Sequence, residues 1–472
     1  MTKPWCIENF IEIQDGALSI DGKSATELAN EFGTPLFVFS EERIDYNIRQ
    51  ISSIAEVINC KLKVCYASKA NSLQGILRAV KRAGSDVEVN SGGELFMALN
   101  AGFSGEQIIF NGTSKTEDEI QEAIEAEIFA IQADSVYEVE RILRVANGMR
   151  KRANVSLRMV PEVKSETLHG LQTALRTSKF GMMPDDARET YVKYGKEEYL
   201  NLCGVHLHIG SQNPSSEPYS EALIALFDCI AMIFEESGIK VEHANLGGGF
   251  PVNYLRDSSN TENLDANQRS LIATNLVPSE IMAAAWQSLT THAEKSGYSH
   301  LLENFTLLLE PGRSIISDTG ALLSRIQNKK LRPISVNGDD TLSGVETWLL
   351  TDAGFNLLLS MELYKWYYQM ISADRAEEPH ETKYKVAGPL CDGGDVYFDI
   401  EGEQKLPDHR LLPENVEVGE IFALLNAGAY TTSQMFPYNG QKLPAVILIR
   451  NDGSIELVRK KDSYEDLLLN QL

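Results

Sequence analysis

The chain has 472 residues, of which 43% are hydrophobic, and a formal net charge of −24 at pH 7. This length exceeds one ordinary domain and accommodates a barrel of about 250 residues together with a second domain. The negative charge argues against binding to nucleic acids or anionic membrane surfaces, because both attract basic proteins.

Cysteine spacing and hydropathy argue against disulfide-rich, zinc-binding, exported and membrane proteins. The six cysteines are scattered without CxxC spacing, which argues against a disulfide framework and a structural zinc site. The N-terminus MTKPWCIENF has no apolar signal region, and no segment approaches the roughly 18 uninterrupted apolar residues of a membrane span. We therefore expect a soluble cytoplasmic protein that acts on a small molecule and holds no metal.

Short apolar runs alternate with amphipathic helical patterns over the first two thirds of the chain. The spacing between most runs is enough for the crossover helix of a parallel sheet, and their number predicts a (β/α)₈ TIM barrel over residues 35–318. There are nine runs for eight strands, and the first run is a candidate to lie outside the barrel. The runs are LFVF (36–39), KVCYAS (63–68), DVEVNS (86–91), IIFNG (108–112), IFAIQAD (128–134), VSLRMV (155–160), LCGVHLHI (202–209), VEHANLGG (241–248) and LLLEPG (307–312).

After about residue 320, strand-like runs follow one another without helices between them. This pattern predicts a C-terminal antiparallel β domain over residues 319–472. ALSI (17–20) makes residues 1–34 a candidate N-terminal segment of the same domain. The runs are ETWLLT (346–351), YKVAG (384–388), IFALLNAG (421–428), AVILIR (445–450) and IELVRK (455–460).

Lys69 lies where a predicted strand meets a predicted helix. LKVCYAS (62–68) has the composition of a buried strand, and Asn71-Ser72 before LQGILRAVKRAG (73–84) resembles a helix cap. The carboxyl ends of parallel strands are where active sites assemble, and a partly desolvated lysine there can form a Schiff base. The other interpretation is a surface lysine that opens a helix.

Two glycine-containing motifs follow later strands. The three glycines of LGGGFP (246–251) either leave backbone amides free to bind a phosphate or allow close packing. EPGRS (310–314) places a carboxylate and a guanidinium at the end of an apolar run, where charges must be solvated, paired or functional.

Two histidines alternate with apolar residues in GVHLHIGSQ (204–212), so His206 and His208 point to the same side of their strand. The usual zinc ligands do not accompany them, so a metal site is disfavoured. A planar imidazole could pack on a flat cofactor, and a hydrogen-bonded structural histidine is the alternative.

The second domain carries polar, turn-rich loops at GPLCDGGD (388–395) and NAGAYTTSQMFPYNG (426–440). Such loops commonly hold functional residues on a rigid scaffold. Cys391 lies in this context, whereas Cys60, Cys65, Cys203 and Cys229 lie in apolar runs or helices and are predicted to be packing residues.

Eight motifs in order resemble those of the fold-type III pyridoxal-phosphate-dependent decarboxylases, and especially their diaminopimelate decarboxylase group. The resemblance spans about residues 30 to 450. It implies an alanine-racemase-like barrel followed by a β domain, in a homodimer with shared active sites. The motifs are YASKAN (66–71), SGGELFMALNAGF (91–103), SKFGM (178–182), HLHIGSQ (206–212), LGGGFP (246–251), EPGRS (310–314), GPLCDGGD (388–395) and GAYTTSQMFPYN (428–439).

The resemblance also implies residue roles. Lys69 would hold pyridoxal 5′-phosphate covalently, His208 would pack on its ring, and Glu310 would keep the ring nitrogen protonated so that the ring can accept the electrons left after CO₂ departs. Cys391 of the partner subunit would return the proton to the substrate. Further cofactor-binding residues would be Ser211, Gly247, Gly248, Gly249, Gly312, Arg313 and Tyr430, and the substrate would contact Arg313, Tyr364, Asp392 and Tyr430.

Two residue pairs depart from the diaminopimelate decarboxylase pattern. An arginine-proline pair usual in that group is replaced by Ser360-Met361, so a guanidinium that clamps the distal carboxylate is missing. The usual Cys-Glu pair is Cys391-Asp392, as in ornithine decarboxylases. Arg176 is a candidate replacement for the missing guanidinium.

The leading interpretation is a decarboxylase of meso-diaminopimelate or a related diamino acid with an altered distal group. A second is a decarboxylase of ornithine, lysine or a conjugated diamino acid, with Asp392 binding a distal ammonium. A racemase would need a second base opposite Lys69, and the Cys391 loop argues against it. A cofactor-free regulatory relative is the non-enzymatic alternative.

Overall fold

The computed structural model describes residues 3–160, 176–256, 261, 264–274, 276–335 and 344–472. The chain folds into two compact units. The barrel unit comprises residues 45–252 and 274–315, and the β unit comprises residues 1–44, 253–273 and 316–472. Residues 35–44, 253–273 and 316–318 were assigned to the barrel from the sequence but belong to the β unit in the structure.

The N-terminal strands form a small sheet of their own. β1 (Ile11–Gln14), β2 (Ala17–Ile20) and β3 (Lys23–Ser24) pair antiparallel in chain order. β4 (Leu36–Ser40) is buried along its whole length and joins the large sheet of the β unit. The LFVF run therefore lies outside the barrel.

Eight parallel strands, β5 to β12, close the barrel in chain order. Each coincides with one of the eight remaining apolar runs, which confirms the predicted (β/α)₈ barrel. Because the barrel strands are covered on both sides, most of their residues are apolar. Their bounds are Lys61–Ala67, Asp86–Val89, Ile108–Phe110, Ala130–Ala133, Ala153–Arg158, Leu200–His206, His243–Asn245 and Thr306–Leu309.

Polar caps mark the start of several helices that alternate with these strands. In the fifth helix, Thr116 accepts a hydrogen bond from the backbone N–H of Glu119, and the Glu119 side chain accepts one from the N–H of Thr116. In chain order the α-helices α1 to α12 of the described residues are Ala25–Phe32, Glu41–Ser52, Gln74–Arg82, Gly92–Asn100, Glu117–Glu125, Val136–Met149, Pro184–Tyr194, Glu217–Ser237, Ala266–Ile272, Pro278–Ser296, Arg313–Ile316 and Leu359–Tyr364.

The β unit is built on a sheet with the strand order β17-β16-β14-β13-β4-β19-β20, and β18 pairs with both β13 and β15. Most pairings are antiparallel, as predicted, but β4 pairs parallel with β19 and β14 pairs parallel with β16. The bounds of β13 to β20 are Gly320–Ile334, Gly344–Thr351, Met370–Ser372, Thr382–Ala387, Arg410–Leu412, Ile421–Leu424, Ala445–Ile449 and Ile455–Arg459.

An apolar core joins the parts of the β unit. It contains Trp5 and Ile20 from the N-terminal segment, Val38 of β4, and Leu323 and Ile447 of the large sheet. Among the helices of the described residues, none has the length and apolar character needed to cross a membrane.

Candidate active site

Polar side chains converge where strands of the barrel end. Lys69 follows β5, Glu88 lies near the end of β6, and Asn111, Asn245 and Glu310 lie at or just after the ends of β7, β11 and β12. All of them except Lys69 are buried. Since these strand ends are neighbours around a closed barrel, residues far apart in sequence meet in one cluster, as is usual for this architecture.

Lys69 lies in a single turn of 3₁₀ helix, Ser68–Ala70, directly after β5. Its Nζ lies 2.9 Å from an oxygen of Glu88. The α3 helix begins only at Gln74, and the Asn71 side chain accepts a hydrogen bond from the N–H of Leu73. The predicted cap at Asn71-Ser72 is therefore wrong, because Leu73 is the N-cap residue and no side chain of the described residues caps the helix.

A hydrogen-bonded network connects Lys69 with Glu310. The Asn111 amide nitrogen lies 2.7 Å from one oxygen of Glu88 and 3.0 Å from each oxygen of Glu310. The Asn245 amide nitrogen donates to Glu310 at 2.6 Å, while its carbonyl oxygen accepts from the N–H of Gly247. Two buried carboxylates are thus held by two amides.

The electrostatics of Glu310 follow from this arrangement. Burial, and then the neighbouring Glu88 carboxylate, raise the pKa of Glu310 to about 7, while Lys69 and the two asparagine amides lower it. Glu310 can therefore be ionised or protonated near neutral pH, and its donors decide which form is favoured. A carboxyl group balanced in this way is typical of a functional site.

His208 is placed by the glycine loop. Its Nδ1 accepts a hydrogen bond of 3.1 Å from the N–H of Gly248. Burial, followed by Lys69 and Arg158, lowers the pKa of His208 to about 3. The imidazole is therefore neutral at physiological pH with its proton on Nε2, and it can pack against a flat ring without adding charge.

His206 lies deeper, with its Nε2 3.6 Å from Glu310. Burial holds its pKa well below the ordinary value, so it is neutral and forms no ion pair there. Neither of its ring nitrogens has a hydrogen-bond partner within the described part of the chain.

The three consecutive glycines pack closely against backbone. A Cβ on Gly248 would lie 2.3 Å from the carbonyl oxygen of Glu310, and one on Gly249 would lie 2.2 Å from that of Gly210. Gly247 and Gly249 also have positive φ angles of 68° and 94°, which favour glycine. The close-packing interpretation therefore accounts for these glycines, and two of their N–H groups already bind Asn245 and His208.

Arg313 and Ser211 provide a cation and a hydroxyl beside this loop. The Nε of Arg313 donates to the Ser211 oxygen at 3.2 Å, and Arg313 is buried. Gly312 contacts the side chains of Ala67 and Ala70, where a Cβ would lie 3.1 and 3.2 Å away. Gly312 therefore packs directly against the turn that carries Lys69.

Arg158 is a charged residue of this region that sequence reasoning missed. It ends β9, and its guanidinium packs on the ring of Phe180 at 4.2 Å. Its Nε lies 3.9 Å from Asp134, and burial lowers its pKa. Glu88, Asn111 and Asn245 were also missed, although each is a polar residue that interrupts or ends a predicted apolar strand.

The other predicted site residues lie in the β unit. Cys391 is exposed, and its N–H donates to the Asn439 side chain at 2.7 Å. Asp392 accepts from the N–H of Gly394 at 2.9 Å and lies 3.5 Å from the Tyr438 hydroxyl. Tyr364 ends α12, and Tyr430 follows β18 with a positive φ of 56°.

The Ser360-Met361 pair, which stands where the decarboxylase pattern has arginine-proline, is buried. Ser360 is 3% exposed and Met361 is 2% exposed, so their short or apolar side chains pack inside the β unit. Arg176 belongs to the barrel unit and is exposed. Within the described residues, no group of three or more histidine, cysteine, aspartate or glutamate side chains is arranged to hold a metal ion.

The donor set fits pyridoxal 5′-phosphate. Lys69 offers an amine for a covalent bond, Glu310 a carboxylate for a ring nitrogen, and His208 a neutral planar ring. Arg313 and Ser211 offer a guanidinium and a hydroxyl for a phosphate. These five side chains belong to the barrel unit alone.

Comparisons with known proteins agree with this chemistry. The family described as "Pyridoxal-dependent decarboxylase, pyridoxal binding domain" matches residues 45–317. The diaminopimelate decarboxylase of Methanocaldococcus jannaschii is 33% identical over 468 residues, covering 98% of this chain and 96% of that protein. The diaminopimelate decarboxylase of Methanothermobacter thermautotrophicus is 32% identical over 463 residues, covering 98% and 97%.

Solved structures give the same result. A crystal structure of the M. jannaschii diaminopimelate decarboxylase in complex with L-lysine matches with a TM-score of 0.83 and 32% identity, covering 98% of each chain. The chain therefore belongs to the fold-type III pyridoxal-dependent decarboxylases, and it is an enzyme that uses pyridoxal 5′-phosphate.

Proposed function

We propose that this enzyme removes a carboxyl group from a diamino acid at Lys69, with meso-diaminopimelate or a close analogue as substrate. The observation that carries this proposal is the connection of Lys69 through Glu88 and Asn111 to Glu310 at the ends of the barrel strands. An amine for covalent binding and a buried carboxylate for a ring nitrogen are the two groups that decarboxylation with this cofactor needs most.

The residues of the barrel unit have separate tasks. Bound pyridoxal 5′-phosphate supplies the electron sink that accepts the pair left on Cα when CO₂ departs. Lys69 binds the cofactor covalently, and Glu310 holds a proton at its ring nitrogen. His208 packs on the ring as a neutral imidazole. Arg313 and Ser211 bind the phosphate or the substrate carboxylate, and Gly247–Gly249 and Gly312 allow the backbone beside them to pack closely.

The β unit completes the chemistry. The Cys391 thiol returns a proton to Cα, and Tyr430 contacts the phosphate or the substrate. We assign Cys391 to the partner subunit's active site, because the motif resemblance implies a homodimer with shared sites. All six cysteines are free, which suits a cytoplasmic enzyme in a reducing environment.

Diaminopimelate is supported by the relatives, which carry that name, and by the L-lysine in one of their structures. Lysine is what diaminopimelate becomes when it loses one carboxyl group. Ser360 and Met361 distinguish this chain from the group pattern, so we expect the distal carboxylate to be bound without the usual guanidinium or to be replaced by another group.

A second candidate is a substrate with a cationic distal end, such as ornithine, lysine or a conjugated diamino acid. The observation that favours it is a pair of carboxylates beside the Cys391 loop. A Cβ on Gly394 would lie 3.3 Å from an oxygen of Glu362 and 3.4 Å from one of Asp392. Glu362 is already paired with Lys365 at 3.2 Å, so Asp392 is the one of the two whose charge can attract a distal ammonium group and repel a carboxylate.

Release of CO₂ from a panel of amino acids distinguishes the two candidates. The panel contains meso-diaminopimelate, ornithine, lysine and a conjugated diamino acid, with Lys69→Ala as the inactive control. Turnover of meso-diaminopimelate alone supports the first candidate and eliminates the second. Turnover of ornithine or lysine alone, lost in Asp392→Asn, has the opposite meaning. No turnover of any member would contradict both.

A further inference from the structure

Asn111 is the group that joins the two buried carboxylates of the barrel. The residue is 3% exposed. Its amide nitrogen lies within hydrogen-bond distance of Glu88, at 2.7 Å, and of both oxygens of Glu310, at 3.0 Å. Since an amide nitrogen carries two hydrogens, one can serve each carboxylate.

The surroundings fix the orientation of this amide. Its carbonyl oxygen is buried without a hydrogen-bond partner within the described residues. A flipped side chain would aim that oxygen at two carboxylates and leave them without the donor, which is strongly unfavourable. The sequence thus places an obligate donor between two acceptors of like charge.

Ionised Glu310 has a specific need for donors. It lies in a buried cluster, and the titratable and charged groups that face it are Lys69, Glu88, Arg158, His206 and Cys65. Burial and the Glu88 charge favour its protonated form, whereas hydrogen bonds from Asn111 and Asn245 favour the carboxylate. The Asn245 side chain also accepts a hydrogen bond from the N–H of Gly247. The Asn111 amide also donates to Glu88, which is the ion-pair partner of Lys69.

We propose that Asn111 is a positioning residue that keeps Glu310 ionised, so that the proton between Glu310 and the cofactor ring stays on the ring nitrogen. The inference rests on the proposed function, because it takes Glu310 as the partner of that nitrogen. The Asn111 amide then has two tasks. It donates to Glu88 when Lys69 is bound to the cofactor and no longer pairs with that carboxylate, and it donates to Glu310 at the same time.

Two variants remove the donor. Asn111→Ala leaves a small cavity, and Asn111→Leu keeps most of the volume. Asn154→Ala is the matched control, because Asn154 is an exposed asparagine on barrel strand β9 that hydrogen-bonds the backbone of Ile128. Near-ultraviolet circular dichroism identifies the folded variants. If both apolar variants are unfolded, Asn111→Asp takes their place, because it has the same shape and adds a negative charge where a donor was.

The readout is the ¹⁵N chemical shift of the ring nitrogen in protein loaded with ¹⁵N-labelled pyridoxal 5′-phosphate. We expect a protonated nitrogen in the natural protein and in Asn154→Ala, and a shift towards the unprotonated value in every folded Asn111 variant. kcat should fall about 10- to 100-fold, the range for one lost hydrogen bond to a charged group, with little change in KM.

An unchanged ring-nitrogen shift in a folded Asn111 variant would overturn the inference, even if its activity fell. A different experiment shows whether the proposed function fails. If borohydride reduction of the natural protein left no pyridoxyl group on Lys69, the proposed function itself would be wrong. A natural protein with that group but an unprotonated ring nitrogen would also overturn the inference, because there would be no ring proton for Asn111 to protect.

Discussion

The Nζ of Lys69 lies 2.9 Å from a carboxylate oxygen of Glu88, and the two side chains differ sharply in exposure. The Lys69 side chain is 42% exposed, whereas that of Glu88 is completely buried. The lysine can therefore contact a cofactor that enters the barrel mouth, while the Glu88 carboxylate stays buried. When Lys69 moves, the Asn111 amide remains as a donor to Glu88.

Replacing Glu88 by Gln should lower the pKa of Glu310. The Glu88 charge is, after burial, the main cause that raises this pKa to about 7. Without it, Glu310 should stay ionised to lower pH, with its pKa moving towards the ordinary value near 4.5. Infrared titration of the carboxyl C=O band in cofactor-free protein measures the midpoint, and Glu310→Gln identifies the band. An unmoved midpoint would show that Glu88 does not act on Glu310.

Buried histidines should make the protein sensitive to acid. Burial lowers the pKa of His243 to about 3, below the value near 6.5 of an unfolded histidine. Between these values the unfolded state binds a proton that the folded state does not, so the free energy of unfolding should fall as pH drops below 6.5. The loss is about 1.4 kcal/mol per pH unit for each such histidine.

His243→Phe tests this pH dependence. A Cβ on Gly204 would lie 2.0 Å from the His243 ring, and His243 also packs on Phe129, so an aromatic ring is kept there. Urea unfolding at several pH values from 7 to 5 gives the free energy of unfolding as a function of pH. Its slope against pH should be shallower for the variant, by the equivalent of one bound proton. A slope equal to that of the natural protein would contradict the assignment of His243 as neutral in the fold.

Alanine at Gly248 should disrupt the glycine loop. Its Cβ would lie 2.3 Å from the backbone oxygen of Glu310, so backbone must move. We expect a loss of about 1 to 3 kcal/mol in the free energy of unfolding, and weaker binding of pyridoxal 5′-phosphate because His208 and Glu310 are displaced. Denaturant unfolding of cofactor-free protein and a cofactor titration measure the two effects.

Gly148→Ala is the control for that experiment. Gly148 lies exposed in α6, and a Cβ there would meet nothing within 4 Å. Alanine should stabilise the helix by about 0.5 to 1 kcal/mol and leave cofactor affinity unchanged. If both glycine variants lost cofactor affinity equally, close packing at Gly248 would not be the reason.

Asp395 should fix the loop that carries Cys391. Its two carboxylate oxygens accept hydrogen bonds of 2.8 Å from the N–H groups of Leu390 and Phe355. Asp395→Ala leaves the buried N–H of Leu390 and the half-buried N–H of Phe355 without that acceptor. We therefore expect a loss of about 1 to 3 kcal/mol in the free energy of unfolding and faster alkylation of the Cys391 thiol. Asp408→Ala, at an exposed aspartate of the same unit, should alter neither. Unchanged alkylation in Asp395→Ala would show that the loop is held by other contacts.

The barrel could be predicted from the sequence because each strand is a separate apolar run, so the local pattern is sufficient. Lys69 could be singled out for the same reason, because it directly follows such a run. Glu88, Asn111 and Asn245 were not found, since each is a single polar residue whose partner lies on another strand. Only the closed barrel brings Asn111 to Glu310, which lies 199 positions later in the chain.

The β unit shows the same limit. Its strands were recognised from their apolar composition, but the parallel pairing of β4 with β19 joins residues about 400 positions apart, such as Leu36 with Ala445. Such pairing depends on the whole fold and has no local pattern. The burial of Ser360 and Met361 likewise depends on the whole fold and has no local sequence pattern.

Peptide mapping after borohydride reduction tests whether Lys69 is the residue that binds the cofactor. Reduction of the purified protein loaded with pyridoxal 5′-phosphate should fix a pyridoxyl group on the peptide that contains Lys69, and Lys69→Ala should carry none. Lys115→Met is a further control, because Lys115 is a buried barrel lysine bound to Glu138 and to the carbonyl oxygens of Gly112 and Gln132, and its variant should still be labelled at Lys69. A pyridoxyl group on any other lysine, or none at all, would show that Lys69 does not bind the cofactor.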